Sequence, residues 1–238
     1  MNFISAIHPQ SIIFMLEITS GMDYACIKGN KNFNEAKLQN TRKSLQKEII
    51  RKAVHLSSLW MPAVIYILPQ PIVVYLFAFL LIFDFIFEYG YHKRYRWARK
   101  TFGTLFYKTL RNKEILDRKF HPTGSIYVLT AALICSYFFD KYAAIIGLTV
   151  MLVADSAAAL VGNAFGRIKI YKNKTIEGTL AFFFSAILVN ILLSPLHPFG
   201  IYSILACSAA TLAELFEDKI KIDDNLSIPL LTAGILSL

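Results

Sequence analysis

Long uninterrupted apolar runs dominate the chain from residue 49 to residue 238. They follow neither the alternation of a half-buried strand nor the period of a surface helix, which indicates lipid as the surrounding solvent. The last run has 13 residues, about 20 Å as a helix, so we expect it to enter a hydrocarbon core of roughly 30 Å without crossing it. The pattern predicts about seven helical membrane segments: Ile49–Leu68, Pro71–Tyr89, Gly124–Phe139, Tyr142–Phe165, Gly178–Ser194, Ile201–Phe216 and Leu226–Leu238.

The predicted fold is an all-α, polytopic bundle of transmembrane helices. One domain covers residues 49–238, because no internal repeat and no Gly/Ser-rich or Pro-rich linker divides that part. Residues 1–48 are expected to form an N-terminal interfacial or cytoplasmic segment. The first of them, from Met1 to Leu16, lack the basic start and the small-residue cleavage site of a signal peptide.

Positive charge lies on one side of the predicted segments. Three connections, at 69–70, 140–141 and 194–200, are short and nearly uncharged. Lys141 lies on that side, whereas the long connections 28–52, 91–123, 166–177 and 217–225 hold 8, 10, 4 and 2 of the 25 Lys and Arg residues. The positive-inside rule therefore places every long connection in the cytoplasm.

Composition agrees with a membrane protein. The chain is 55% hydrophobic and 17% charged, whereas about a quarter of the residues of a soluble domain are charged. The net charge of +9 follows from the asymmetric connections, so we expect no nucleic-acid partner. The short chain and short segments favour an integral, multi-pass protein of a bacterial inner (plasma) membrane, with an organellar membrane as the alternative.

Several ionisable residues lie inside or just beyond the predicted segments, where a charged side chain is costly and needs a partner or a purpose. Asp155 lies inside the fourth run, and Gly162 and Gly166 follow on the same helix face, so a second helix or a ligand can approach closely. A packing face with one structural hydrogen bond is the alternative interpretation. Glu88 is expected to reach for water at the interface. The carboxylates that share one cytoplasmic depth are Asp84, Asp155, Glu214, Asp223 and Asp224.

Carboxylates that face Lys and Arg residues at one depth are typical of a metal–nucleotide site. Mg²⁺ takes one or two carboxylates and bridges phosphate oxygens, while cations balance the remaining phosphate charge. The loop from Gly162 to Gly178 adds Arg167 and Lys174, and its glycines permit close backbone approach. Glu177 precedes a helix start, where free N–H groups favour an anion. The chain has no Walker A and no G-x-G-x-x-G motif.

These residues carry a resemblance to a known superfamily. The stretch Asp155-Ser-Ala-Ala-Ala-Leu-Val-Gly-Asn-Ala-Phe-Gly-Arg167, followed by Lys174-Thr-Ile-Glu-Gly-Thr179, resembles the nucleotide motif of CTP-dependent membrane enzymes. That superfamily comprises dolichol kinase, phytol kinase, CTP-dependent diacylglycerol kinase and phosphatidate cytidylyltransferase (CDP-diacylglycerol synthase).

Two further stretches resemble the kinase branch in particular. Arg51-Lys-Ala-Val-His55 resembles its Arg-Lys-x-x-His entry to a membrane helix. Glu214 with Asp223-Asp-Asn-Leu-Ser-Ile-Pro229 resembles its C-terminal Glu…Asp-Asp-Asn…Ile-Pro element. The loop Tyr171-Lys-Asn-Lys-Thr175 departs from the Ser-Pro-Lys-Lys-Thr version of the cytidylyltransferase branch, and the C-terminal signature of that branch is missing from the chain.

The resemblance implies a transferase that uses CTP as phosphoryl donor, Mg²⁺ as cofactor and a lipid alcohol as acceptor. It covers roughly residues 49–238. Together with the loop composition it assigns the catalytic role to Asp155, Lys174, Glu177, Arg51, Lys52 and His55. Nucleotide binding is assigned to Gly162, Gly166, Arg167, Thr175, Gly178 and Asn225. The predicted metal ligands are Asp155, Glu214, Asp223 and Asp224.

Two rival functions stay open. In phosphatidate cytidylyltransferase the nucleophile is an already anionic phosphate, so no strong base is needed, whereas a lipid hydroxyl must lose a proton to a group such as a carboxylate. An ion-coupled transporter also uses intramembrane carboxylates, but the repeats and broken helices common in transporters are missing from the sequence. The sequence leaves open which lipid alcohol is used (polyprenol or dolichol, a phytol-like alcohol, or diacylglycerol), which group is the base, and whether the protein is a homodimer.

Overall fold

The computed structural model describes residues 48–96, 98, 100, 120, 122–172, 174–220 and 222–238. Apart from residue 48, the predicted N-terminal segment 1–48 lies outside the described residues. The described elements are helices, except for one two-stranded hairpin. In chain order they are α1 (48–57), α2 (Trp60–Ile67), α3 (Gln70–His92), α4 (Gly124–Phe138), α5 (Lys141–Phe165), β1 (Lys169–Tyr171), β2 (Lys174–Thr175), α6 (Ile176–Leu192), α7 (Ile201–Leu215), α8 (Glu217–Ile220) and α9 (Asp224–Leu236). The prediction of an all-α fold is confirmed.

Polar residues define where several of these helices begin. Asp140 accepts hydrogen bonds from the backbone of the first turn of α5, and Thr175 caps α6 by accepting from Gly178 N. Asp223 does the same for α9. Each cap satisfies backbone N–H groups that have no partner within the helix. The three caps therefore fix the starts of α5, α6 and α9.

The prediction of seven membrane segments is not supported as seven spans. Within the described residues, α3 and α5 are long and apolar enough to cross a membrane. The apolar helices α4, α6 and α7 have 15, 17 and 15 residues, which is about 22–26 Å against a core of about 30 Å. Two candidate spans indicate association with a membrane.

The first predicted segment, Ile49–Leu68, is broken into α1 and α2 by a turn at residues 58–59. Pro62 explains the break, because proline has no N–H and its ring clashes with the carbonyl four residues earlier. The turn places Pro62 in the first turn of α2, where a proline is tolerated. Hydropathy alone does not predict the break, because the run stays apolar throughout.

Helix α5 forms the centre of the bundle. In its most apolar window 67% of the residues are buried, compared with 17% in α3, which faces outward. Small residues of α5 let the other helices approach: a Cβ added at Gly147 would lie 2.8 Å from the carbonyl oxygen of Pro229 in α9. Helix α6 packs along the other part of α5. The residues of α5 are therefore placed against several elements at once.

The short connections meet at one end of the bundle. Gln70 Nε2 donates to the carbonyl of Ser136 over 2.9 Å, and Asp140 N donates to Ser237 Oγ over 3.3 Å. His197 Nε2 lies 3.0 Å from the carbonyl of Leu236. The ionic contacts between α1 and α5, and between the hairpin and α7, lie toward the other end.

Candidate functional site

A cavity of about 400 Å³ lies among α1, α5, β2, α6, α7, α8 and α9. Its charged lining consists of three cations, Arg51, Lys52 and Lys174, and five carboxylates, Glu48, Asp155, Glu214, Glu217 and Asp224. Three positive and five negative charges leave a formal charge of −2. The remaining lining is small or polar, and includes Gly162, Thr175 and Gly178.

A buried ion pair joins α1 to α5 on one side of the cavity. Lys52 Nζ lies 2.5 Å from Asp155 Oδ2, and the two side chains are only 6% and 9% exposed. His55 Nε2 lies 3.5 Å from the same oxygen. The helical turn that carries Lys52 also brings Arg51 to the cavity, where it pairs with Glu48 over 2.6 Å. The structure thus brings Arg51, Lys52 and His55 together with Asp155.

A second ion pair joins the hairpin to α7 and α8. Lys174 Nζ lies 2.5 Å from Glu214 Oε1 and 3.8 Å from Glu217 Oε2, while Glu214 Oε2 is buried without a hydrogen-bond partner among the described residues. Burial opposes the charge of Lys174, but the carboxylate of Glu214, followed by those of Asp224 and Glu217, outweighs it and raises the pKa of the ammonium group. Lys174 is therefore a charged group inside the cavity.

Three carboxylates form an acidic cluster at the start of α9. One oxygen each from Glu217, Asp223 and Asp224 lies within 4.8 Å of the other two. Burial, followed by the charges of Asp155, Glu217 and Asp223, raises the pKa of Asp224 well above its usual value, although Lys174 opposes the shift. Asp224 is one of the residues that line the cavity.

This donor set fits the magnesium ion that the family resemblance implies. Mg²⁺ prefers oxygen ligands, and one or two carboxylates together with phosphate oxygens and water usually complete its shell. Glu217 and Asp224 line the cavity, and Asp223 lies beside them. Of the predicted metal ligands, Asp155 and Glu214 lie elsewhere in the lining and each contacts a lysine.

The glycines of the predicted loop lie where α5 and α6 cross. A Cβ added at Gly178 would lie 3.1 Å from the carbonyl of Ala158 and 3.3 Å from Gly162 Cα. A Cβ added at Gly166 would overlap the carbonyl of Gly162 and lie 2.7 Å from Thr175 Oγ1. The glycines therefore let Thr175 and the start of α6 lie close to α5, and so they shape the cavity through packing.

Several predicted site residues lie outside the cavity lining. Arg167 is exposed, and Glu177 faces the base of the hairpin, where its carboxylate lies 3.5 Å from Ile168 N. The backbone N–H of Glu177 itself, and then those of Arg167 and Ile168, hold the pKa of Glu177 below its usual value. Asn225 donates to Asp223 Oδ1 over 2.6 Å and so helps to orient one carboxylate of the acidic cluster.

Sequence reasoning did not identify Glu217 and Glu48. Both lie one helical turn from a predicted residue, Glu217 after Glu214 and Glu48 before Arg51, and this spacing was the available signal. The expectation that Glu88 reaches for water is wrong: Glu88 is buried and accepts hydrogen bonds from Thr123 N and Ser125 Oγ at the start of α4.

Comparisons with known proteins add relatives without an assigned function. No family model matches the chain, and no solved structure matches it. An uncharacterized protein of Methanocaldococcus jannaschii is 39% identical over 117 residues, which cover 48% of this chain and 58% of that protein. An uncharacterized protein of Rickettsia prowazekii is 27% identical over 183 residues, which cover 76% of this chain and 88% of that protein. The matched part thus spans less than two thirds of the archaeal relative and most of the bacterial one.

Proposed function

We propose that the chain is an integral membrane enzyme that transfers a phosphoryl group from CTP, with Mg²⁺, to the hydroxyl group of a lipid alcohol. One observation carries the proposal: cations of α1 and β2 and carboxylates of α1, α5, α7, α8 and α9 line a single cavity. These elements are far apart in the chain. All of them except α8 carry residues of the stretches that resemble the nucleotide motif and the kinase branch.

The charge of the lining supports a metal-bound nucleotide over a free anion. A lining with a formal charge of −2 repels a triphosphate unless a cation enters with it. The acidic cluster of Glu217, Asp223 and Asp224 would hold Mg²⁺, which neutralises phosphate charge when bound. Arg51, Lys52 and Lys174 would then contact the phosphate oxygens, and the planar guanidinium of Arg51 suits bidentate binding.

The buried ion pairs indicate separate roles for the carboxylates and the lysines of the cavity. Asp155 holds Lys52, and Glu214 holds Lys174, so each lysine is oriented toward the cavity before the nucleotide binds. In the reaction, the acceptor oxygen forms a bond to the γ-phosphorus, the bond to the CDP oxygen breaks, and the hydroxyl proton passes to a carboxylate of the lining.

The proposal includes a multi-pass membrane placement with the cavity on the cytoplasmic side. Helices α3 and α5 would span the bilayer, and the shorter apolar helices would pack around them. The long connections carry 24 of the 25 Lys and Arg residues, which favours the cytoplasm for that end. A lipid hydroxyl at the membrane boundary would then reach the same cavity as cytoplasmic CTP.

Labelled CTP tests the proposal. Purified protein in lipid nanodiscs is incubated with CTP labelled at either the α- or the γ-phosphorus, Mg²⁺, and a panel of diacylglycerol, polyprenol, phytol and phosphatidate. Label that enters a lipid alcohol from the γ position supports the kinase. Label that enters phosphatidate from the α position alone would replace it by the cytidylyltransferase. No transfer from either position, in protein that is folded, would refute both.

Matched variants connect the activity to the cavity. Lys174→Met should abolish transfer, because it removes a cation that faces the phosphates. Lys219→Met, an exposed lysine of α8 outside the cavity lining, should leave transfer unchanged. Equal activity of the two variants would mean that this cavity is not the site.

A further inference from the structure

A second surface lies outside the cavity, on the segment that links α5 to β1. Phe165, Ile168 and Ile170 are 62%, 58% and 48% exposed. Arg167 and Lys169 are exposed between them. We call these five residues the hairpin outer surface. Clustered apolar side chains that are interleaved with cations are typical of a surface that contacts another phase or partner.

The chain holds this surface close to the ends of two apolar helices. Helix α5 has 25 residues, about 37 Å, so it exceeds a hydrocarbon core of about 30 Å and places its end near the lipid head groups. Ten residues, 166–175, separate α5 from α6. Ile176 N donates to the carbonyl of Ile168 over 2.9 Å, which ties the linking segment to the start of α6. The hairpin therefore stays at the end of these helices.

Part of the hairpin already contacts the rest of the protein. The ring of Tyr171 lies 5.7 Å from the ring of Phe216, and Lys172 pairs with Asp218 over 3.0 Å. Ile168 and Ile170 remain exposed beside these contacts, as do Arg167 and Lys169. The exposed cations suit an anionic partner.

We propose that the hairpin outer surface docks on the anionic leaflet that surrounds the protein. Phe165, Ile168 and Ile170 enter the boundary between head groups and acyl chains, and Arg167 and Lys169 contact lipid phosphates. This inference rests on the membrane placement in the proposed function. Since β1 pairs with β2, lipid docking would also hold Lys174 and Thr175 in the cavity, and leaflet charge would then influence the site.

The expected contribution of charge is measurable. A basic residue near an anionic membrane contributes about a five-fold change in partition, so neutralising both cations should reduce the ratio of docked to undocked hairpin about 30-fold. The loss should be seen only with anionic lipid, because phosphatidylcholine offers no net charge.

Fluorescence quenching tests the docking. Ile170→Cys is made in full-length protein whose own three cysteines are replaced by serine, labelled with an environment-sensitive dye, and reconstituted in phosphatidylcholine with or without phosphatidylglycerol. Doxyl-labelled lipids serve as quenchers. Two reference probes are placed at Ile82→Cys, on the outward face of α3, and at Lys219→Cys, on α8.

The outcomes separate the inference from the proposed function. Docking predicts that the probe at 170 is quenched, more strongly with phosphatidylglycerol, and that Arg167→Gln with Lys169→Gln removes the added quenching. An unquenched probe at 170 beside a quenched probe at 82 would overturn the docking and leave the membrane placement intact. Quenching of the same strength with and without phosphatidylglycerol would overturn the recognition of anionic lipid. Unquenched probes at both positions would overturn the membrane placement itself.

Discussion

Lys52→Met leaves the carboxylate of Asp155 buried without its ammonium partner. The two groups lie 2.5 Å apart and are 6% and 9% exposed, so water does not replace the lost contact. Breaking a buried pair from one side costs about 3–5 kcal/mol. We therefore expect Lys52→Met to lower the free energy of unfolding by about that amount.

A double-mutant cycle isolates the pair. Unfolding of the purified protein in mixed micelles is followed by circular dichroism for wild type, Lys52→Met, Asp155→Asn and the double variant. The double variant should recover roughly 2 kcal/mol or more relative to the sum of the single changes. The exposed pair of Lys172 and Asp218, 54% and 57% exposed at 3.0 Å, serves as control, and Lys172→Met should cost about 0–1 kcal/mol.

Two results would refute this reasoning. Additive single changes would mean that Lys52 and Asp155 do not interact in the folded protein. A cost of Lys52→Met equal to that of Lys172→Met would mean that the contact between α1 and α5 is open to water. Either result would separate α1 from the candidate site.

Three further predictions follow from the described contacts. Gly147→Ala should lower stability in thermal unfolding by about 1–3 kcal/mol, because its Cβ would overlap the backbone of α9, whereas Gly234→Ala, which meets only an aromatic ring at ordinary contact distance, should be nearly neutral. The ion-paired Lys174 has a folded-state pKa above 10.5, so the stability that its charge gives the folded protein is fully present below 10.5. This contribution is lost as the pH rises through the folded-state pKa. The curves of stability against pH for wild type and Lys174→Met should therefore converge only at strongly alkaline pH. Asp224→Asn relieves carboxylate repulsion, so it should raise the stability of the metal-free protein by the order of 1 kcal/mol and remove any Mg²⁺-induced shift in melting temperature, while Asp218→Asn should change neither.

Sequence reasoning located most helix ends because the apolar runs stop at residues that also stop helices. The predicted segments Gly124–Phe139 and Ile201–Phe216 correspond to α4 and α7, each one residue shorter in the structure. The break in the first segment was missed, although Pro62 was visible, because the apolar run continues across it. The number of spans was overestimated because only the last apolar run was compared in length with the bilayer.

The ion pairs of the candidate site depend on how distant helices pack, which no local sequence pattern predicts. Lys52 and Asp155 are 103 residues apart in sequence, and they meet because α1 packs beside the buried face of α5. Glu214 was grouped with Asp223 and Asp224 as a metal ligand, but the hairpin brings Lys174 to Glu214. Glu217 takes its place in the acidic cluster, because the turn after α7 points it toward the start of α9.

Binding of CTP by purified protein, measured by isothermal titration with and without Mg²⁺, tests most directly whether this cavity holds a metal-bound nucleotide. The account predicts that wild type and Lys219→Met bind CTP when Mg²⁺ is present, and that Lys174→Met binds about ten-fold more weakly or worse, since it lacks a charge-assisted hydrogen bond. Binding of the same strength by Lys174→Met and wild type, or binding of the same strength with and without Mg²⁺, would contradict the account.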